Sequence, residues 1–548
     1  MSFARCLFAV HVPGGDAAAE VDRRAQRLLA FYAPVGGVRL HLYRGPSLVY
    51  GAVDLAADLP GADEELVVWG DRLPIAPLEA GDDALRALDP VVAALAVAPG
   101  RARLVVGTAT ITTLYEAAGA EARAWSSHAV AAAFLADGRA KLDAEAIPEL
   151  LATGAIGADR SLVAGVRPVE AGTCVEFGPD GPTVRALMPA ERRWRLVGER
   201  DAAAAVRERL LESVPRRVAG RRVVLGLTAG LDSRVALGAL RASGTPFEAV
   251  TVGGEGSPDV AGARAIAERL GLEHEVVVPP VPDATRLATD ATRDVRWNEG
   301  TVGLSRGSET ALGADEVFVH GGGGEVGRAY YYAGIARSHG TPGPRQLRRL
   351  FALDRQLPDA PPAVAALLRE RSAVWLRAAE AAGVDGWRVL DVVAAEQKLR
   401  QVNRGYLIPG RAGLIAVFAT PALQSALASL TAADKVAAAG HRAALEAWVP
   451  ELPADPPAGQ RRGVPRPVRR VAARLRARRP VARAGERDQV RAWLAGALDA
   501  PLVESLLGRD WIAAESARCR GDDPGALFRA QRWIGVLALE EALRELSR

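Results

Sequence analysis

Val223-Val224-Leu225-Gly226-Leu227-Thr228-Ala229-Gly230-Leu231-Asp232-Ser233 is the stretch on which the fold turns. Its first five residues form an apolar run, as expected of a strand buried on both faces. Past the turn, Val235, Leu237 and Leu240 recur at helical spacing up to a stop at Gly244. The order strand, tight turn, helix start suits an anion. Small residues at Ala229 and Gly230 let a backbone approach phosphates, Thr228 and Ser233 offer hydroxyls, and a helix N-terminus adds amide donors. Asp232 is out of place beside an anion unless a cation intervenes, so its natural role is to bind a Mg²⁺ that bridges phosphate oxygens. Leu227 to Ser233 is therefore the candidate nucleotide loop. A turn of this kind standing alone would read as an ordinary strand-to-helix connection.

It does not stand alone. Phe247 to Val252 reads as a second strand, and Ser257-Pro258-Asp259 caps a helix that ends at Leu270-Gly271. His274 to Val278 and Val317 to Val319 add two more strands, giving a doubly wound parallel sheet whose ligand crevice lies at the strand C-termini. The fourth strand runs into Gly321-Gly322-Gly323-Gly324-Glu325. Four glycines permit a second close backbone approach, and Glu325 supplies a second carboxylate for the metal opposite Asp232.

The chain has 548 residues, beyond the roughly 250–300 at which one core stops growing, so two domains are expected. Up to about residue 190 the sequence shows short strand-like runs, among them Val38 to Tyr43, Glu65 to Trp69, Leu104 to Val106 and Thr173 to Phe177. A helix over Ala202 to Ser213 then opens the α/β part, which places the boundary near residue 195, between a 1–195 domain and a 196–548 domain. After Gln346 the pattern is helical almost throughout, expected to wrap the α/β core, with breaks at Pro358 to Pro362 and Glu451 to Pro457. Net charge of +4 gives little reason to propose nucleic acid as a partner. Three scattered cysteines, Cys6, Cys174 and Cys519, argue against a disulfide framework, and no apolar run approaches a membrane span, so a cytoplasmic protein without membrane partners is expected. Nothing in the sequence sets the oligomeric state.

Leu227 to Ser233 resembles the Ser-Gly-Gly-Leu-Asp-Ser pyrophosphatase loop of asparagine synthetases and their relatives, with Thr228 and Ala229 as departures. Thr251-Val252-Gly253 and the segment through His274 resemble the adenine-side segment of that family, and Gly323-Gly324-Glu325-Val326-Gly327-Arg328 resembles its second loop. Weaker similarity extends through Arg400 to Asn403 and Thr420-Pro421-Ala422-Leu423. In the first domain, Trp125-Ser126-Ser127, Thr113-Leu114-Tyr115 and Gly165-Val166-Arg167 resemble strands of the glutaminase domain that precedes the synthetase domain. The resemblance implies an α/β protein: an N-terminal-nucleophile (Ntn) type β-sandwich flanked by helices, followed by an ATP-pyrophosphatase domain with a helical C-terminal part.

It also implies ATP and Mg²⁺ as cofactors. ATP activates a carboxylate as its acyl-adenylate, with pyrophosphate and then AMP released as an amine attacks. A glutaminase of this type needs an N-terminal cysteine. Here the chain starts Met1-Ser2-Phe3, with Cys6 read as a buried structural thiol and Ser2 as a remote alternative, so no glutamine hydrolysis is expected. The partners are then small-molecule or peptide carboxylates and amines, joined between or within molecules as in relatives that close β-lactams or macrolactams. A catalytically degenerate nucleotide-binding scaffold is the non-enzymatic alternative. At the position matching Gly322 the synthetases carry Glu and β-lactam-forming relatives Tyr; here Glu396 and Tyr330 are the candidate substitutes, with an exposed helix carboxylate and a packed aromatic as their alternative readings. The family lysine has no counterpart, since Lys435 comes too early and Arg461-Arg462 occupy the expected neighbourhood, at the start of a basic run to Arg479. Arg328 reads either as a phosphate clamp or as a structural salt bridge.

Overall fold

The computed structural model describes residues 2–3, 6–12, 15–33, 38–44, 47–55, 65–70, 92–98, 101–107, 113–157, 159–178, 180–194, 202–278, 284–301, 316–336, 340–400, 414–452, 484–521 and 523–548, with 81, 83 and 85. The boundary expected near residue 195 and the basic run Arg461 to Arg479 lie outside the described residues, as do 401–403.

The apolar run forms the strand Arg222–Gly226 at the centre of a parallel sheet. Across that sheet the strands lie in the order His274–Val277, Glu248–Val252, Arg222–Gly226, Glu316–His320, Leu414–Ala416. Leu225 faces Ala249 on one side and Val319 on the other, both in parallel register. Val223, Leu225 and Leu227 join the main core, while Val224 and Val250 turn to the opposite face beside Val252, Val277 and Phe318. Burial on both faces is why the run is continuous rather than alternating. Chain order reverses between the neighbouring strands Arg222–Gly226 and Glu316–His320, so the crevice opens where Leu227–Ser233 and Gly321–Arg328 leave the sheet. Leu414–Ala416 corrects the all-helical reading after Gln346. Three residues are too few to show a period of two.

The helices follow their local chemistry. Ser257 Oγ accepts from Val260 N at 3.1 Å and starts Pro258–Leu270, and Gly271 ends it in the left-handed region at φ 62°. The helix from Ala202 runs on to Val218, past the expected end at Ser213, because Pro215 removes a single N–H while Val214 and Val218 stay buried. Pro421–Ser429 and Ala439–Trp448 pack on this helix. The last helices do not all wrap the α/β core: Pro524–Ser547 reaches Gly15–Tyr32 and Ala146–Thr153 of the N-terminal half.

That half is a layered sandwich. One sheet carries Val166–Pro168, Tyr115–Ala118, Arg123–Ser126, Cys6–His11, Leu48–Leu55 and Val38–Arg44 in that order; the other includes Glu65–Gly70, Val92–Ala98, Arg101–Val106 and Thr173–Gly178. Leu7 and Ala9 point between the sheets to Leu104, Trp125 and Val175, while Cys6, Phe8 and Val10 point to the layer of Gly15–Tyr32 and Ala129–Asp137. The protein is thus an α/β fold with a two-sheet N-terminal sandwich, a parallel sheet and a helical C-terminal part.

Glu299 ties the halves together. Its buried carboxylate accepts from Ala129 N at 3.1 Å and Val130 N at 2.6 Å, capping a helix of the sandwich from the other half of the chain. Glu299→Ala leaves two buried N–H groups unsatisfied and is expected to cost about 1–2 kcal/mol. A lower urea midpoint at unchanged m-value is the readout.

Candidate functional site

The loop Leu227–Ser233 is held closed from inside. Ser233 Oγ accepts from Thr228 N at 3.1 Å and lies 3.0 Å from Thr228 Oγ1, which in turn accepts from Gly230 N at 3.0 Å. Gly230 is the N-cap of Leu231–Ala242, whose first-turn amides have no partner within the helix and face the crevice. Ala229 packs against Gly262, where an added Cβ would sit 2.3 Å from the alanine methyl. Thr251 fixes the loop from the neighbouring strand: its hydroxyl donates to Leu227 O at 2.6 Å and lies 2.7 Å from His274 Nε2. Burial, and then the charge of Arg264, hold His274 below the usual histidine range. Val252 packs on the smaller core, and Gly253 N donates to Val277 O at 3.0 Å.

Asp232 and Glu325 lie within electrostatic reach of one another. Burial, then the Asp232 charge, push the Glu325 carboxyl above its ordinary value; its Oε2 accepts from Gly323 N at 3.1 Å. Burial works in the same direction on Asp232, but a hydrogen bond from His441 and the Arg328 guanidinium overcome it and hold that carboxyl low. Arg328 Nη2 is ion-paired to Asp232 Oδ2, and His441 Nε2 lies 3.1 Å from Oδ1. Of the two readings of Arg328, the structure contains the salt bridge; Arg328 Nε remains buried with no partner among the described residues.

The glycines of the second loop serve this packing. A Cβ on Gly321 would lie 2.6 Å from Asp232 Cβ, and one on Gly324 2.6 Å from Asp232 Oδ1. Gly323 adopts φ 91°, which a side chain disfavours, and its carbonyl accepts from Gln424 Nε2 at 3.0 Å. Gly322 N donates to His320 Nδ1 at 3.1 Å.

The reading of Glu396 as an exposed helix carboxylate is corrected: its side chain is 12% exposed, and its Oε1 accepts from Trp194 Nε1 at 2.8 Å and Arg193 Nη2 at 3.2 Å, at a cavity of about 250 Å³ where the sandwich meets the helical layer. It sits in a π-helical turn, Val393–Leu399, whose phase differs from that of a regular helix and which touches Gly324–Arg328. Tyr330 is 40% exposed; its ring lies edge-on to Tyr331 with centroids 5.0 Å apart, and its Oη accepts from Lys398 Nζ at 2.6 Å. Arg400 is also a staple to the sandwich, with Nε donating to Thr113 Oγ1 at 3.0 Å. His441 has no counterpart in the sequence reading. It lies in an alanine-rich helix and no local motif marks it.

Cys6 begins a strand in the middle of the sandwich, with Ser2–Phe3 preceding it in a strand of its own. Its thiol is fully buried, 3.5 Å from Ser126 Oγ, and burial pushes it up to about 11. A thiol in that range is overwhelmingly protonated at neutral pH and is a poor nucleophile. Folded protein at pH 8 is expected to leave Cys6 unalkylated by iodoacetamide, whereas protein in denaturant is alkylated; modification of the folded protein at the unfolded rate would show that the site opens.

Residues 205–306 match the family model described as asparagine synthase. That span holds the strand Arg222–Gly226, the loop Leu227–Ser233 and Thr251–Gly253, and stops before Gly321. Among solved structures, the allosteric regulatory enzyme of purine biosynthesis is 12% identical at a TM-score of 0.23, covering 54% of this chain and 78% of that one. Glutamine phosphoribosylpyrophosphate amidotransferase from B. subtilis, complexed with ADP and GMP, is 9% identical at a TM-score of 0.23, covering 58% and 81%. Scores this low carry no argument. No curated protein matches the chain.

Proposed function

We propose, from the premise that residues 205–306 are asparagine synthase-like, that this protein is an ATP-dependent amide ligase that adenylates a carboxylate for attack by an amine, without hydrolysing glutamine. The observation that carries this reading is the meeting of Leu227–Ser233 and Gly321–Arg328 at the reversal of strand order, joined by the Arg328–Asp232 ion pair, with Glu325 within electrostatic reach of Asp232. Two half-buried carboxylates that influence one another suit a divalent cation, and Asp232 and Glu325 would hold it. Mg²⁺ bound there supplies charge neutralisation of the polyphosphate.

The chain's own groups do the rest. Thr228, Gly230, Ser233 and the first amides of Leu231–Ala242 receive the pyrophosphate portion, and Thr251–Gly253 line the nucleoside side. A carboxylate oxygen attacks the α-phosphorus, the bond to pyrophosphate breaks, and the amine nitrogen then displaces AMP from the acyl carbon, losing a proton. With Glu396 engaged at the sandwich, Tyr330 beside Lys398 is the remaining candidate to orient the amine, and the proton leaves to solvent. Arg328, released from Asp232, brings a five-donor guanidinium to the phosphates. Cys6, buried and protonated, supports ammonia or a substrate amine as the nucleophile rather than glutamine. Intramolecular lactam closure satisfies the same chemistry.

A second reading rests on one specific feature. Asp232 Oδ2 is ion-paired to Arg328, Oδ1 lies against His441 Nε2, and Gly322 presents no side chain, as in a nucleotide-binding scaffold without turnover. Pyrophosphate release from ATP across a panel of carboxylic acids, with ammonia or an amine supplied, separates the two. Release that depends on acid and amine supports the ligase; saturable nucleotide binding with no release under any pairing supports the scaffold and removes the ligase reading.

A further inference from the structure

His441 is buried with no exposed surface, in the helix Ala439–Trp448. Its ring stacks on Phe418, with centroids 4.9 Å apart and planes at 30°. The backbone of the second loop closes the other sides. A Cβ on Gly324 would come within 3.0 Å of His441 Nε2, and one on Gly327 within 2.9 Å of Cε1. Nδ1 and Nε2 are both buried without a hydrogen bond of good geometry among the described residues, and the same holds for Asp232 Oδ1, which Nε2 touches. The only acid the ring reaches among the described ion pairs is Asp232, through Nε2 at 3.1 Å. An imidazole locked by a stacked ring and two glycines, with one nitrogen on a carboxylate, is arranged to orient that carboxylate.

We propose that His441 is a positioning residue for the nucleotide site: its fixed ring, with Nε2 3.1 Å from Asp232 Oδ1, limits where that carboxylate can turn and leaves Oδ2, now on Arg328, as the oxygen that is exchanged when a metal–nucleotide complex enters. The inference rests on the reading of Asp232 as the phosphate-side carboxylate. It also gives Gly324 and Gly327 a reason that phosphate contact does not supply. They make room for a side chain from a distant helix rather than for a ligand.

The test is calorimetric titration of the full chain with Mg²⁺ and a non-hydrolysable ATP analogue, on wild type, His441→Gln and His441→Phe. Gln keeps a donor near the position of Nε2; Phe keeps the stacking and removes the donor. Loss of an outer partner of a metal-binding carboxylate weakens metal affinity about 10–100-fold, so His441→Phe is expected to bind about 10-fold or more weakly and His441→Gln within about 3-fold of wild type. Equal binding by all three, or equal loss in both variants, overturns the positioning role. No binding by wild type instead overturns the nucleotide-site reading itself. Should the Phe variant not fold, the imidazole nitrogen resonances of the folded wild type decide: the His441 signals are expected to shift on adding Mg²⁺ and the analogue, and unmoved signals alongside saturable binding overturn the inference.

Discussion

Asp232→Ala is expected to abolish Mg²⁺-dependent binding of a non-hydrolysable ATP analogue, weakening it more than about 100-fold, or roughly 3 kcal/mol. Asp232 stands at the start of Leu231–Ala242, where a carboxylate facing phosphates is unfavourable without a cation. The structure already places polar groups around that carboxylate: Arg328 pairs with Oδ2 and His441 Nε2 lies 3.1 Å from Oδ1, and together they hold the carboxyl low against burial. Removing it releases Arg328 to the phosphates and deprives a metal of one of its two carboxylates. Metal-free binding, measured in chelator, should therefore change much less than binding in Mg²⁺. Equal affinities of wild type and variant in Mg²⁺ would show that Asp232 serves only the ion pairs that fold the loops together.

Lys435→Met should cost the most stability of any substitution considered, about 3–5 kcal/mol. Lys435 and Asp391 are each 1% exposed and form an ion pair, with Lys435 Nζ also donating to Ala428 O at 2.9 Å. Tyr332 Oη donates to the same Asp391 carboxylate at 3.0 Å and its ring stacks on Trp387. Burial dominates at both partners, pushing Asp391 up and Lys435 down, and each opposes that push in the other. Methionine fills the volume but leaves a carboxylate with one neutral donor in a dry site. Asp391→Asn combined with Lys435→Met should recover much of the loss, since no net charge then stays buried. Chemical denaturation of the two variants reads this directly; a double variant no more stable than the single one would assign the loss to packing. The same geometry explains why Lys435 is not available to a phosphate: its ammonium is committed to the core.

Local chemistry was legible in the residues. The apolar run Val223 to Leu227, the Ser257 cap, the Gly271 stop and the run Gly321–Gly324 each act through neighbours a few positions away, so four of the strands, their parallel sheet and the two loops could be read in sequence. What those loops do to one another could not. Arg328 meets Asp232 across 96 positions. His441 reaches the same carboxylate from a helix whose alanine-rich pattern carries no sign of it. Glu396 turns to Trp194 because a π-helical turn resets the direction of its side chain. The sequence by itself determined most of the elements around the site and the turn between Arg222–Gly226 and Leu231–Ala242, because capping, periodicity and glycine conformations are short-range. Only the tertiary structure decided which charge neutralises which, because a buried carboxylate is stabilised by whatever donors the packing of remote elements brings within about 3 Å of it.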